Sequence, residues 1–227
     1  MSSKRYIIGA IVAALVVVGV IVAISVAGGD DEVTALSGAD AVKTELKGIP
    51  QNGNTLGEPD APVEIMEFGD TSCPACKAAS DSVTPEVIET YVKTGKAKLS
   101  FHPIAFINAS SERGALGAFA AADQNAMWSF VTLLYKNQAP ESQPEWLTQK
   151  LMEEAAADLG LDAVAFTAAY EGKGVEAAFL KTKQLATEKG VTQTPTFVVK
   201  GPGGEDSFAG VENLSRFEQA MAKVGGS

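Results

Sequence analysis

Histidine and cysteine are scarce in this chain. There is one histidine, His102, and there are two cysteines, Cys73 and Cys76, in 227 residues. Two thiols and one imidazole cannot supply the four ligands of a structural zinc site. With no other cysteine, no structural disulfide framework can be built. No cysteine lies near residue 27, which excludes a lipid-modified N-terminal cysteine. Basic residues are also few, 18 against 28 acidic ones, for a net charge of −10. All the acids follow Gly29, so the bulk of the chain is acidic, which argues against nucleic acid as a partner, since phosphate binding needs clustered Lys and Arg. The chain has no internal repeat, and its 46% hydrophobic content is too high for a disordered protein.

One long apolar run is present. Residues 7–27 form 21 consecutive residues in which Ser25 is the one strongly polar side chain. As a helix they would span about 31 Å, the thickness of a bilayer core. Lys4 and Arg5 precede the run and Gly-Gly-Asp-Asp-Glu follows it. The positive-inside rule then keeps residues 1–6 in the cytoplasm and exports the rest. The run exceeds the usual h-region of about 7–15 residues, which favours an uncleaved anchor in the lipid bilayer over a cleaved signal peptide, although Ser25-Val26-Ala27 would serve as a cleavage site. Residues 28–55 are polar and read as an extracytoplasmic linker, with a short helix at 39–46 and a short strand near Ile49. The domain proper is expected over 56–227.

The two cysteines stand in Glu67-Phe-Gly-Asp-Thr-Ser-Cys-Pro-Ala-Cys-Lys77. Residues 62–68 alternate as a strand, with Val63, Ile65 and Glu67 on one face and Met66 and Phe68 on the other. A helix opens at Cys73, with Ser72 as its expected N-cap and Pro74 in the first turn. The thiols therefore sit where a strand hands over to a helix N-terminus. Free N–H groups and the positive end of the helix dipole favour a thiolate there. The thiolate is the species that attacks disulfides. Cys73, nearer the helix end, is the expected attacking thiol, and Cys76, one turn inward, the resolving one.

Downstream, Thr84 and Pro85 are expected to cap a second helical segment, and residues 96–106 to form a second strand. Helical patterns then fill residues 111–189, one of them opened by a capping box at Ser142-Gln-Pro-Glu145. Strands return at 196–199 and 206–209, and an amphipathic helix closes the chain at 214–224. This order describes an α/β domain with a helical block inserted between strands. Trp128, Phe101, Phe106, Phe119, Phe130 and Phe166 are read as core, His102 as structural, and Asp70 as an acid that shapes the turn.

Over residues 56–224 the sequence resembles the thioredoxin superfamily, and within it the DsbA-like branch of exported thiol–disulfide oxidoreductases. Three features carry the likeness: Glu-Phe-x-Asp-x-x-Cys-Pro-x-Cys, the stretch Gly-Val-Thr-Gln-Thr-Pro-Thr-Phe-Val-Val at 190–199, and the helical insertion at about 107–189. The resemblance implies a thioredoxin fold with a helical insertion, preceded here by one N-terminal transmembrane helix. It implies a cis bond before Pro195, lying against the sulfurs, and a Thr194 backbone presented to substrate. It implies a semi-buried proton-relay acid at Glu67, where periodicity also predicts partial burial and a raised pKa. No organic cofactor or metal is implied. The implied partners are exported proteins with free thiols and a membrane redox partner that reoxidises the pair. One departure stands out: strong oxidants of the branch carry Pro-His between the cysteines, where this chain has Pro-Ala. The expected activity is disulfide donation through Cys73-Cys76. A reductase or isomerase on the same fold is one rival reading, and a non-catalytic binding module is another.

Overall fold

The computed structural model describes residues 36–225. The expected membrane segment at 7–27, with residues 28–35, lies outside the described residues. Among those described, no helix is long and apolar enough to cross a membrane.

The described chain runs α1 (Ala39–Glu45), β1 (Gln51–Asn52), β2 (Thr55–Leu56), β3 (Val63–Gly69), α2 (Pro74–Asp81), α3 (Val83–Val87) widening into a π-helical turn at Ile88–Val92, β4 (Ala97–Pro103), five helices, then β5 (Thr196–Gly201), β6 (Gly204–Ala209) and α9 (Leu214–Lys223). The five helices of the insertion are α4 (Ala109–Ala122), α5 (Met127–Lys136), α6 (Gln149–Leu159), α7 (Ala163–Tyr170) and α8 (Lys173–Glu188). The strands form one mixed sheet in the order β1-β2-β4-β3-β5-β6. β3 and β4 are parallel, which requires the α2–α3 crossover, and the other pairs are antiparallel.

The alternation along β3 divides the core as its periodicity predicts. Val63 and Ile65 join the larger apolar cluster with Cys76, Phe101, Trp128, Tyr135 and Phe217. Met66 and Phe68 face the opposite side, against Ile104, Ala186, Val191 and Val198. α2, α3, α5 and α9 thus cover one face of the sheet, and the end of α8 covers the other.

Several local expectations are corrected. Residues 36–55 are folded onto the domain rather than forming part of a linker. Val42 and Leu46 of the α1 segment are buried, and β1–β2 extends the sheet by pairing with β4. A few apolar residues, Leu36, Val42, Leu46 and Ile49, suffice to dock this segment, although they are too sparse to show a period. Ser142-Gln-Pro-Glu145 caps nothing. Residues 137–148 are irregular, and the helix begins at Gln149 with Thr148 Oγ1 accepting from the Leu151 N–H. Glu145 pairs with Arg113 instead. Thr84 is not a cap either: α3 already begins at Val83, and the Thr84 hydroxyl is buried without a partner. The second strand stops at Pro103, and Phe106, expected in the core, is 51% exposed. The backbone there leaves the sheet to bond Asp70, which turns the Phe106 side chain outward.

Candidate active site

β3 delivers the chain to a tight turn organised by Asp70. This residue is fully buried. Its Oδ1 accepts from the Ser72 N–H at 2.8 Å, and its Oδ2 accepts from the N–H groups of Phe106 and Ile107 at 2.7 and 3.1 Å. Its carbonyl accepts from the Cys73 N–H at 2.9 Å. One acid thus ties the turn before the cysteines to the loop after β4, the turn-shaping part that the sequence suggested.

The helix cap is Cys73 rather than Ser72. Pro74 at the first helical position holds the preceding residue extended, so Cys73 (φ −83°, ψ 118°) is where the backbone turns. Ser72 is buried one residue upstream, and its Oγ accepts from Trp146 Nε1 at 3.3 Å. Both cysteines are free thiols. Cys73 is the outer one, 5% exposed, and Cys76 is fully buried. The Asp70 N–H points at Cys76 Sγ, 3.4 Å away.

The two thiols have opposite acidities. A hydrogen bond from Cys76 is the main influence lowering the Cys73 pKa from 9.0 to about 6. Thr194 and the N–H groups of Cys76 and Ala75 act the same way against the opposing effect of burial. Burial chiefly, and then Cys73 itself, push the Cys76 thiol well above its ordinary range. Glu67, 2% exposed at the end of β3, is raised from 4.5 to about 8 by burial. At neutral pH the site therefore holds one thiolate, one thiol and one protonated carboxyl.

The remaining expected residues also converge here. The Thr194–Pro195 bond is cis. The Thr194 carbonyl lies 3.5 Å from Cys73 Sγ and can accept from it when the thiol is protonated. Sequence reasoning missed the clamp supplied by the insertion. Gln138 Nε2 donates to the carbonyls of Thr71 and Cys73 at 2.8 and 3.2 Å. With Trp146 it closes one side of the cysteine turn. No local pattern marks either residue, because each acts across more than 60 positions of chain. His102 lies elsewhere. It stacks on Phe68 at 4.9 Å and reaches Ser100 Oγ at 3.0 Å on the opposite face of the sheet from Glu67. Burial lowers its pKa to about 4, so it is neutral. Among the described residues no three His, Cys, Asp or Glu side chains converge as metal ligands.

A low-pKa thiolate at a helix N-terminus, paired with a buried thiol, is the equipment of thiol–disulfide exchange. The family model described as thioredoxin matches residues 51–215. The chain belongs to the thioredoxin family. Within that family it is a thiol–disulfide oxidoreductase, akin to bacterial disulfide bond formation proteins. It is 31% identical over 151 residues to a probable disulfide bond formation protein D of Bacillus anthracis, covering 65% of this chain and 69% of that one. It is 33% identical over 123 residues to disulfide bond formation protein D of Bacillus subtilis, covering 52% and 53% respectively. Oxidised BdbD from Bacillus subtilis has the same fold, with a TM-score of 0.67 at 22% identity over 77% of this chain and 96% of that one. Chlamydia trachomatis DsbA superposes with a TM-score of 0.63 at 20% identity, over 76% and 89%. The helical insertion of this thioredoxin-family chain is the block that carries Gln138 and Trp146 to the cysteines.

Proposed function

We propose that this oxidoreductase donates disulfides to exported proteins outside the cytoplasm, held at the membrane by residues 7–27, with Cys73 and Cys76 as its redox pair. The observation that carries the reading is the asymmetry of the two thiols, one outer and acidic at about 6, the other buried and protonated. A substrate thiolate attacks Cys73 Sγ of the Cys73–Cys76 disulfide. The S–S bond breaks, its electron pair leaves on Cys76 Sγ, and Glu67 supplies that sulfur with a proton. A second substrate thiolate then attacks the substrate sulfur of the mixed disulfide, and Cys73 departs as a thiolate. The substrate dithiol is oxidised, the enzyme disulfide is reduced, and a membrane redox partner restores the pair. The backbone at Thr194, beside Cys73, presents an edge to which an extended polypeptide can bond without regard to sequence. Phe106 and Ile107, exposed on the loop tied to Asp70, offer apolar surface to unfolded chains.

A milder reading, isomerase or reductase, is favoured by one observation. A Cys73 pKa of about 6 lies nearer the value of about 7 in thioredoxin than the value of about 3.5 in the strong oxidant DsbA. Equilibrating the full chain with glutathione separates the two. A potential near about −120 mV supports disulfide donation, and one near about −270 mV supports the reductive reading. The site assignment has its own test in cells. Cys76→Ser should accumulate mixed disulfides through Cys73, and Cys73→Ser should accumulate none. The reverse pattern would transfer the attacking role to Cys76.

A further inference from the structure

Tyr135, on α5, is buried with its ring edge-on to Phe101 at 6.4 Å. Its hydroxyl has no hydrogen-bond partner among the described residues, and neither has that of Thr71. Buried hydroxyls are almost always partnered, so an orphan inside a functional site calls for a role. The position of this one is informative. A Cβ on Gly69 would stand 2.9 Å from Tyr135 Oη. Glu67 precedes Gly69 by two residues on β3, so its side chain leaves the same face of the strand. The Asp70 N–H, one residue on, donates to Cys76 Sγ. The Tyr135 hydroxyl thus lies against the end of β3, on the face from which Glu67 projects and next to the turn whose Asp70 N–H reaches Cys76. The titratable groups facing it are Glu67 from β3, Asp70 from the turn, and Cys73 and Cys76 from the start of α2. Burial and those acids keep the phenol protonated, which leaves it a donor.

We propose that Tyr135 is a positioning residue for the exchange reaction, its hydroxyl, unpartnered while Glu67 is protonated, turning to donate a hydrogen bond to the Glu67 carboxylate once its proton has gone. The proposal rests on the reading of Glu67 as the proton donor to Cys76. When the Cys73–Cys76 bond breaks and the electron pair leaves on Cys76 Sγ, the Glu67 carboxyl gives that sulfur its proton. The carboxylate so formed is buried, and an ionised oxygen there needs a donor. Tyr135 O–H is the neighbouring one. On reoxidation the Cys73 thiolate attacks a disulfide of the redox partner and releases one partner thiolate; Cys76 then returns its proton to the carboxylate, its thiolate attacks Cys73 Sγ of the mixed disulfide, and the partner's second sulfur leaves with the electron pair.

The test follows the reduction of the oxidised full chain by excess dithiothreitol, read as thiolate absorbance, at pH values on both sides of 8. Native chain should outpace Glu67→Gln below the Glu67 pKa of about 8 and lose that advantage above it. Tyr135→Phe, which keeps the ring against Phe101, should be about tenfold slower than native at neutral pH, within the range of a proton-transfer contribution. Its inflection should move upward, because the carboxylate has lost its donor. The alkylation midpoint of Cys73 should not move. The double variant should be no slower than Glu67→Gln alone. A native profile in Tyr135→Phe beside a slowed Glu67→Gln would overturn the role of Tyr135 and leave that of Glu67 standing. An unaffected Glu67→Gln would remove the proton-donor reading and this proposal with it. Slowing that multiplies in the double variant would make Tyr135 an independent packing residue and overturn its positioning role.

Discussion

Replacing Glu67 by Gln should convert a pH-dependent stability into one that is nearly independent of pH over the same range. The carboxyl is 2% exposed, and burial raises its pKa from 4.5 to about 8. The folded chain therefore keeps a proton that the unfolded chain releases over that interval. Because the folded value is the higher one, the associated stability is complete below pH 4.5 and is lost as pH rises through 8. Each pH unit in the window costs native protein about 1.4 kcal/mol relative to the variant, which makes about 3 kcal/mol at neutral pH and about 5 kcal/mol once the window is passed. Against a typical total of about 5–15 kcal/mol, that is a large charge to leave inside a fold. The assay is guanidinium unfolding of native and Glu67→Gln full chains, in detergent with excess reductant, at a series of pH values. The amide of the variant adds a constant offset, so the slope of the difference is the observable. A difference that stays flat between pH 4.5 and 8 would refute the claim that the ionised carboxylate is buried at the folded chain's expense.

Three further outcomes can be checked directly. In the reduced chain, alkylation by iodoacetamide should modify Cys73 with a half-maximal rate near pH 6 while Cys76 stays silent, and a midpoint near 9 would deny the stabilised thiolate. Gly114→Ala should lower stability by about 1–3 kcal/mol in thermal unfolding, as overpacking does. The added Cβ would stand 2.1 Å from Thr71 Oγ1 and 2.7 Å from Leu147 Cδ1, forcing α4 away from the cysteine turn. Asp70→Ala strips three N–H groups of their acceptor and should cost about 3 kcal/mol in denaturant unfolding, with faster proteolysis beside Phe106. A loss below about 1 kcal/mol would show that water replaces the carboxyl.

The elements nearest the chemistry were legible because their signals are local. Alternation along residues 62–68 placed Glu67 on the core face, as the separation of Val63 and Ile65 from Met66 and Phe68 bears out. Cys-Pro-x-Cys after a strand placed the thiols at a helix start, and the Thr-Pro motif implied the cis bond at Pro195. Two expected caps were displaced by a residue further along the chain. Ser72 lost to Cys73 because Pro74 sets where the helix begins, and Ser142 lost to Thr148 because Pro144 and the Arg113 contacts keep the intervening chain irregular. Residues 36–55 looked like linker because short elements with four scattered apolar residues carry no period, yet the segment docks on the domain and buries Val42 and Leu46.

What the sequence alone determined was the redox pair, the strand-to-helix setting that makes one thiol acidic, the α/β order and the long insertion, since each is written in residues a few positions apart. What only the tertiary structure decided was the environment of that pair. Gln138 and Trp146 close over the turn, Asp70 binds two loops at once, and the Tyr135 hydroxyl comes to rest against Gly69 at the end of β3. The contacts of Thr194, Gln138 and Trp146 and much of the burial there come from segments tens of residues distant, and a pKa depends on what surrounds a group in space as well as on what adjoins it along the chain.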